Sequence, residues 1–261
     1  MRKILLLVVI VVLMVSCSLK NKKSFNPQKE ITIERLNFVE KAGDCDNNYN
    51  CFFVEFKYDI FFSKNYDTDF INSFIRKKIY EKQIKDDAHA FRAFYDSLYA
   101  EFNSFMNDFP ETSIGWEVRK SFLSQGYVKN FLTCVYDEFT FFGGAHGNTS
   151  VEFFNFDLNK KTILDYRNFF TTEEKNQLNK ICEKELRKKF NLNENDPLSK
   201  AGLWEDLDKK FELNGNFLIT EDGLKFLFNQ YEIAPYSMGQ IEILLPKENL
   251  PETVRAKIWS E

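Results

Sequence analysis

The residues best suited to chemistry lie in one glycine-rich stretch near the middle of the chain. Residues 139–149 read FTFFGGAHGNT, which places three glycines around His146, one of only two histidines in the protein. A histidine can act as a general base when a carboxylate supports it, and Asp137 or Glu138 is close enough in sequence to do so. The residue types therefore permit a hydrolase that uses His146 with Asp137 or Glu138.

Two other interpretations of this stretch stay open. The glycines permit positive φ and a tight reversal, so His146 would then cap a β-hairpin through hydrogen bonds to backbone. A hairpin tip can also present a recognition loop, together with an aromatic loop at residues 231–239. No G-x-S-x-G nucleophile motif supports catalysis. The candidate binding residues are Gly143, Gly144, His146, Gly147, Tyr231 and Tyr236.

The N-terminus has the pattern of a lipoprotein signal peptide. Arg2 and Lys3 precede an apolar run over residues 4–15, and a serine and Cys17 follow. This run is shorter than the roughly 20 residues that span a bilayer. We expect residues 1–16 to be removed and acyl chains to be attached to Cys17, which would anchor the protein to a membrane facing the periplasm or exterior. The alternative is an uncleaved anchor or a plain secretory signal.

The charge balance disfavours nucleic acid as a partner. Lys+Arg is 35 against 39 Asp+Glu, and loss of Arg2 and Lys3 with the signal peptide would give a net charge of about −6. Nucleic-acid binding needs a basic surface. An acidic domain instead attracts a basic partner such as a cationic protein.

The cysteines suggest one disulfide and no metal centre. Cys45 and Cys51 flank a loop-like segment between two strand-like runs, a spacing that fits a local disulfide in an exported protein. Cys134 lies in a strand and Cys182 on the apolar face of a helix, where buried free thiols are expected. With two histidines and no CxxC pair, the sequence predicts no zinc site and no cofactor.

Hydrophobic periodicity divides the first half of the chain into a tether, two strands and a long helical region. Residues 17–30 are polar and form the tether. Alternation over 31–39 and 52–62 predicts strands. Helical spacing of apolar residues from 67 to 107 predicts one long helix or two consecutive helices packed on the sheet, with His89 solvated.

The second half is predicted to be a four-stranded antiparallel meander, a helix and two more strands. The meander strands are 114–123, 127–142, 149–158 and 162–165, and the later strand runs are 217–228 and 241–245. Thr171 and Glu174 fit a capping box at the start of the helix. The predicted class is α+β, with antiparallel sheets packed against a long N-terminal helix and a second helix. Two subdomains are expected, at 31–112 and 113–261.

Two sequence markers resemble a known family. Residues 141–149 (FFGGAHGNT), followed by the strand FNFDL at 154–158, and residues 231–239 (YEIAPYSMG), followed by IEILLP at 241–246, are similar to the RsiV/PdaC-type extracellular domain. The resemblance covers residues from about 114 to 252. Residues 31–110 are similar to the family only in their layout of strand, strand and helix.

The resemblance implies an exported α+β domain that binds rather than catalyses. One relative is an anti-sigma factor whose outer domain binds lysozyme, and another carries the domain beside a peptidoglycan deacetylase. The sequence lacks the Asp-Asp and His-x-x-x-His metal motifs of such deacetylases. The expected role is therefore an envelope binding module for a lysozyme-like cationic protein or for peptidoglycan, with a scaffolding lipoprotein or a hydrolase as alternatives.

Overall fold

The computed structural model describes residues 30–46, 49–208 and 210–260. These residues form an α+β fold with nine strands in two sheets and five helices, which confirms the predicted class. The predicted signal peptide, Cys17 and the tether up to residue 29 lie outside the described residues. Within the described ranges, no helix combines the length and the apolar character that a membrane crossing requires.

The larger sheet contains six strands whose spatial order follows the chain. They are β1 (Thr32–Asp44), β2 (Tyr49–Phe62), β3 (Trp116–Val128), β4 (Phe131–Phe141), β5 (Asn148–Asp157) and β6 (Thr162–Ile163). Strands β3 to β6 form the predicted antiparallel meander. β1 and β2 are an antiparallel hairpin, whereas β2 and β3 run parallel.

The parallel pair needs a crossover, and two helices provide it. The predicted helical region at 67–107 forms α1 (Asp69–Tyr80) and α2 (Asp87–Asp108). Glu81 ends α1 in a left-handed conformation, and the Asp86 side chain caps α2 by accepting the N–H of His89. The predicted segment boundary at 112/113 falls between α2 and β3. Both predicted segments therefore contribute strands to one sheet.

The first core lies between this sheet and the two crossover helices. Alternate residues of β2 point into it, as the period-two pattern predicts: Phe52, Val54, Phe56, Tyr58 and Ile60 are all buried. They pack against α1 and α2 residues such as Ile75 and Phe91. Burial of these large side chains supplies the main stabilisation of this half.

The smaller sheet belongs to a second core. Its strands are β7 (Phe217–Ile219), β8 (Gly223–Phe228) and β9 (Ile241–Pro246), so the predicted run 217–228 is two strands joined by a turn. Three helices accompany it: α3 (Tyr166–Phe169), α4 (Thr172–Lys189) and α5 (Glu252–Trp259). The predicted capping box starts α4, because Thr171 and Glu174 each accept the other's backbone N–H. Helix α5 has no counterpart in the sequence-based expectations.

The four cysteines of the described residues take two forms. Cys45 and Cys51 form a disulfide across the turn between β1 and β2. Cys134 in β4 and Cys182 in α4 are buried free thiols. Burial raises the pKa of both thiols above the ordinary range, which keeps them protonated and unreactive.

Three asparagine side chains join the two sheets. Asn155 of β5 donates to the Phe217 carbonyl and accepts the N–H of Ile219, both at 2.8 Å. In the other direction, Asn216 and Asn229 bond the backbone of β5. A primary amide carries one acceptor and two donors, so it replaces a neighbouring strand's peptide group. These side chains cover the edge of β5 that β6 leaves open.

The Asn216 and Asn229 bonds meet on two residues of β5. Asn229 accepts the Val151 N–H at 2.8 Å and donates to the Val151 carbonyl at 3.0 Å. Asn216 accepts the Phe153 N–H at 2.8 Å and also donates to the Val151 carbonyl, at 2.9 Å. We refer to Asn155, Asn216 and Asn229 together as the asparagine ladder.

The strand register defines two ends of the large sheet. At one end lie the pairs Thr32↔Phe62 and Val128↔Phe131, and residue 30 enters here; we call this the N-terminal end. At the other end lie the pairs Phe52↔Trp116 and Thr140↔Asn148. The glycine-rich stretch connects β4 to β5 at this second end, which we call the corner end.

The ladder gives a test of how the two sheets are held together. We expect Asn155→Ala to lower the free energy of unfolding by about 3 kcal/mol, because it leaves the Phe217 carbonyl and the Ile219 N–H buried without partners. Urea unfolding measures this change. Asn176→Ala, on an exposed position of α4, is the matched control and should change stability by less than about 0.5 kcal/mol. Equal effects of the two substitutions would contradict a structural role for the ladder.

Candidate functional site

The glycines shape the corner in two ways. Gly143 and Gly144 have φ values of +96° and +99°, which side-chain-bearing residues rarely adopt. Gly147 packs against the aromatic ring of Phe139, and a Cβ atom at Gly147 would lie 2.2 Å from Phe139 Cε2. The corner therefore depends on all three glycines, as the hairpin interpretation predicts.

His146 is exposed at the tip of the corner and is held by ring contacts. Its Nδ1 lies 3.0 Å from the Gly147 carbonyl, and its Nε2 lies 3.5 Å from the Tyr231 hydroxyl. The carbonyl can only accept, so Nδ1 carries the proton and Nε2 of the neutral ring is an acceptor. The imidazole also stacks on Tyr236, with ring centroids 3.8 Å apart.

The structure brings the two sequence markers together. Tyr236 donates its hydroxyl to the Gly147 carbonyl at 3.1 Å, and the Tyr231 and Tyr236 rings lie 5.7 Å apart. Tyr231 is 56% exposed and has a φ of +68°, a strained value for a bulky residue. All six predicted binding residues thus lie in one surface, with His146 and the two tyrosines as its exposed or half-exposed rings.

The asparagine ladder sets the position of the aromatic loop. Asn229 precedes Tyr231 by two residues and is bonded to Val151, four residues after Gly147. Gln240, just after the loop, donates to Asn229 Oδ1 at 3.2 Å. Both ends of the 231–239 loop are therefore tied to the strand that leaves the corner.

Sequence reasoning missed three other aromatic residues at the corner end. Trp204 donates its indole N–H to the Tyr231 carbonyl at 3.2 Å and is 37% exposed. On the opposite side of the corner, Phe142 and Phe109 are about half exposed and lie on either side of a partly buried cluster that contains Trp116. Phe142 directly precedes Gly143, and only this adjacency signalled it in the sequence. Trp204 lies 27 residues from Tyr231 and gave no signal.

The carboxylates proposed for catalysis are not among the hydrogen-bond partners of His146. Glu138 accepts from the Tyr136 hydroxyl at 2.8 Å and lies 3.4 Å from Lys120 Nζ. Asp137 is the next residue of the same strand, so its side chain points to the other face of the sheet. Burial, and secondarily the Glu138 charge, raises the pKa of Asp137. Among the described residues, no group of three His, Cys, Asp or Glu side chains is arranged to hold a metal ion.

The corner end is strongly acidic. The chain segments that reach it contain no lysine or arginine: residues 42–56, 93–118, 130–159, 201–208 and 226–246. Exposed acidic residues on these segments include Asp46, Asp108, Glu111, Glu205, Asp206 and Glu232. The exposed rings therefore lie in a surface of negative charge in which His146 is the sole residue that can become cationic.

Residues 167–248 match DUF3298, a protein family of unknown function. The chain contains a DUF3298 domain. The matched residues include the aromatic loop at 231–239, whereas the glycine corner precedes them. Together with the relative described next, this match confirms the predicted resemblance to the RsiV/PdaC-type domain.

Relatives of known sequence and structure share this domain. The chain is 29% identical over 131 residues to the peptidoglycan-N-acetylmuramic acid deacetylase PdaC of Bacillus subtilis (strain 168), covering 49% of this chain and 27% of the deacetylase. It thus spans about a quarter of that enzyme's length. Two DUF3298 crystal structures share the fold. The protein from Bacteroides fragilis has a TM-score of 0.69 at 22% identity, covering 88% of this chain and 94% of that one. The protein from Pseudomonas aeruginosa has a TM-score of 0.61 at 16% identity, covering 86% and 94%.

The close approach at Gly147 can be separated from backbone strain at the corner. We expect Gly147→Ala to destabilise the protein by about 2 kcal/mol or more, because the new methyl group overlaps Phe139. Thermal or urea unfolding gives the magnitude, and the ring-current shift of the His146 protons reports loss of the Tyr236 stacking. Gly144→Ala is the control, since a Cβ there meets no atom within 4 Å and adds only about 1 kcal/mol of backbone strain. A Gly147→Ala protein as stable as the control would contradict the packing argument.

Proposed function

We propose that this protein is an exported, membrane-anchored lipoprotein whose DUF3298 domain binds a cationic protein of the lysozyme type through the corner end. The observation that carries the proposal is the set of exposed aromatic rings around His146, Tyr231 and Tyr236 in a surface without lysine or arginine. Exposed, pre-positioned tyrosine and tryptophan side chains are the residues that dominate binding energy at protein interfaces.

The charge distribution favours a cationic protein over peptidoglycan. The acidic side chains around the rings would attract a basic partner and speed its association. Peptidoglycan carries carboxylates, which the same acidic side chains would repel. The match to a peptidoglycan deacetylase supports the envelope as the setting, and the resemblance to a lysozyme-binding outer domain supports the partner.

The geometry of the chain agrees with anchoring. Residue 30 enters at the N-terminal end of the large sheet, and the rings lie at the corner end. Strand β4 has 11 residues, so the two ends are separated by roughly 35 Å. A lipid on Cys17 would hold the first end towards the membrane and present the second outward. The Cys45–Cys51 disulfide suits an oxidising compartment outside the cytoplasm.

We expect the double variant Tyr231→Ala/His146→Ala to lose at least about tenfold in affinity for lysozyme, because it removes two central rings of the surface. Isothermal titration with purified lysozyme at low and high salt measures the affinity, which should fall as salt rises. Phe62→Ala is the matched control: Phe62 is an exposed aromatic residue at the N-terminal end. Its affinity should equal that of the unsubstituted protein.

The same experiment separates the alternatives. No binding of lysozyme at low salt, or an equal loss in the Phe62→Ala control, would overturn the proposed partner. Purified cell-wall sacculi provide a parallel arm. Retention of the protein on sacculi without lysozyme binding would identify peptidoglycan as the ligand instead.

We also propose that the domain acts by binding without catalysis. His146 Nδ1 is bonded to a carbonyl, and the bonded partners of Glu138 are Tyr136 and Lys120, so no carboxylate orients the imidazole as a general base. We expect no release of dye from labelled peptidoglycan by the unsubstituted protein or by His146→Ala. Release that disappears in His146→Ala, while the variant keeps its fold by circular dichroism, would show a hydrolase.

A further inference from the structure

Three lysines are grouped on two adjoining turns at the N-terminal end of the large sheet. Lys129 lies in the turn between β3 and β4, and Lys160 and Lys161 lie in the turn between β5 and β6. The turns touch, because the Leu158 N–H donates to the Asn130 carbonyl at 3.0 Å. Their ammonium groups are therefore presented together on one edge of the molecule.

The backbone of these turns does not explain the choice of lysine. Lys129 and Lys161 both have a φ of +52°, the left-handed region in which glycine or asparagine is less strained. A residue that is unfavourable for the turn but keeps a positive charge points to a role for the charge itself.

The turns border a cleft of about 450 Å³ whose polar groups are mostly donors. Lys129, Lys160 and Lys257 line it, together with the amides of Asn159 and Asn168. None of the ion pairs among the described residues involves Lys129.

The negative groups beside the cleft are already engaged. Asp157 is buried, accepts the backbone N–H groups of Asn159 and Lys160, and lies 3.6 Å from Lys160 Nζ. Glu174 pairs with Lys257, and Asp67 lies 3.0 Å from Lys161 Nζ. The cleft therefore offers several cationic and amide donors to one added anion.

We propose that this cleft binds the phosphate of an anionic phospholipid headgroup and so holds the N-terminal end of the sheet against the membrane. The inference rests on the proposed anchoring, since residue 30 enters at this same end. Charge complementarity distinguishes the two ends: the lysine turns lie here, and the chain segments at the corner end lack lysine and arginine. Contact at the lysine turns would leave His146 and Tyr231 facing outward.

The test measures how strongly the full chain partitions onto lipid vesicles. The Cys17→Ser chain, which cannot be acylated, is mixed with phosphatidylcholine vesicles that do or do not contain phosphatidylglycerol. We expect a salt-sensitive preference for the anionic vesicles. Replacing Lys129, Lys160 and Lys161 with Gln should lower partitioning onto anionic vesicles on the order of tenfold and leave zwitterionic vesicles unaffected.

A matched variant controls for net charge. Lys180, Lys184 and Lys188 lie at four-residue spacing on one face of α4, and replacing them with Gln removes the same charge elsewhere. This control should keep the preference for anionic vesicles, and circular dichroism should show all variants folded. No preference in the unsubstituted chain, or an equal loss in the control, would overturn the proposal.

Two further readouts separate the neighbouring explanations. Weak or absent vesicle preference, combined with saturable binding of inorganic phosphate, would replace the lipid with a soluble phosphate and overturn the proposal. Lysozyme affinity of the Lys129, Lys160 and Lys161 variant should be unchanged, because those residues are far from the corner end. Failure of lysozyme binding alone thus tests the proposed function and leaves the vesicle result to decide the headgroup site.

Discussion

The structure depends on how the exposed edge of β5 is satisfied. The six-stranded sheet would end there with unpaired peptide groups, because β6 pairs only with the last two residues of β5. The amides of Asn155, Asn216 and Asn229 complete the edge and tie it to the smaller sheet. This replaces strand pairing with side-chain pairing, which leaves the smaller sheet free to turn away from β5. Asn229 also fixes the start of the loop that carries Tyr231, so the aromatic surface is built on the same joint.

Charge is distributed along the molecule as an axis from one end of the large sheet to the other. The two lysine turns lie at the N-terminal end, and the segments meeting at the corner end carry acidic residues without basic ones. Neither end requires this for folding, because exposed charges contribute little to stability. Segregated charge does orient a molecule near charged surfaces and partners. A tethered domain gains from such an axis, since a single N-terminal attachment leaves its rotation unconstrained.

Local and repeating signals carried most of the fold into the sequence-based expectations. The alternation from Phe52 to Ile60 predicted a one-sided strand because those side chains all enter one core, and Thr171 with Glu174 predicted a helix start from adjacent residues. The site residues came from two sequence markers. What could not be predicted was pairing without a local pattern: Asn216 bonds strand residues 63 positions away. An asparagine in such a segment indicates a turn from sequence alone, and that same preference hid its role between the sheets.

His146 shows how one residue can serve order and recognition together. Its Nδ1 shares the Gly147 carbonyl with the Tyr236 hydroxyl, and its ring stacks on Tyr236, so the imidazole closes the corner onto the aromatic loop. These contacts use one nitrogen and one face of the ring, and the side chain stays exposed. A catalytic histidine needs a nitrogen directed at the substrate and a carboxylate behind the other one. Here the second position holds a backbone carbonyl, which orients the ring but stabilises a positive charge less than a carboxylate would. The arrangement therefore suits a rigid aromatic surface for contact better than it suits proton transfer.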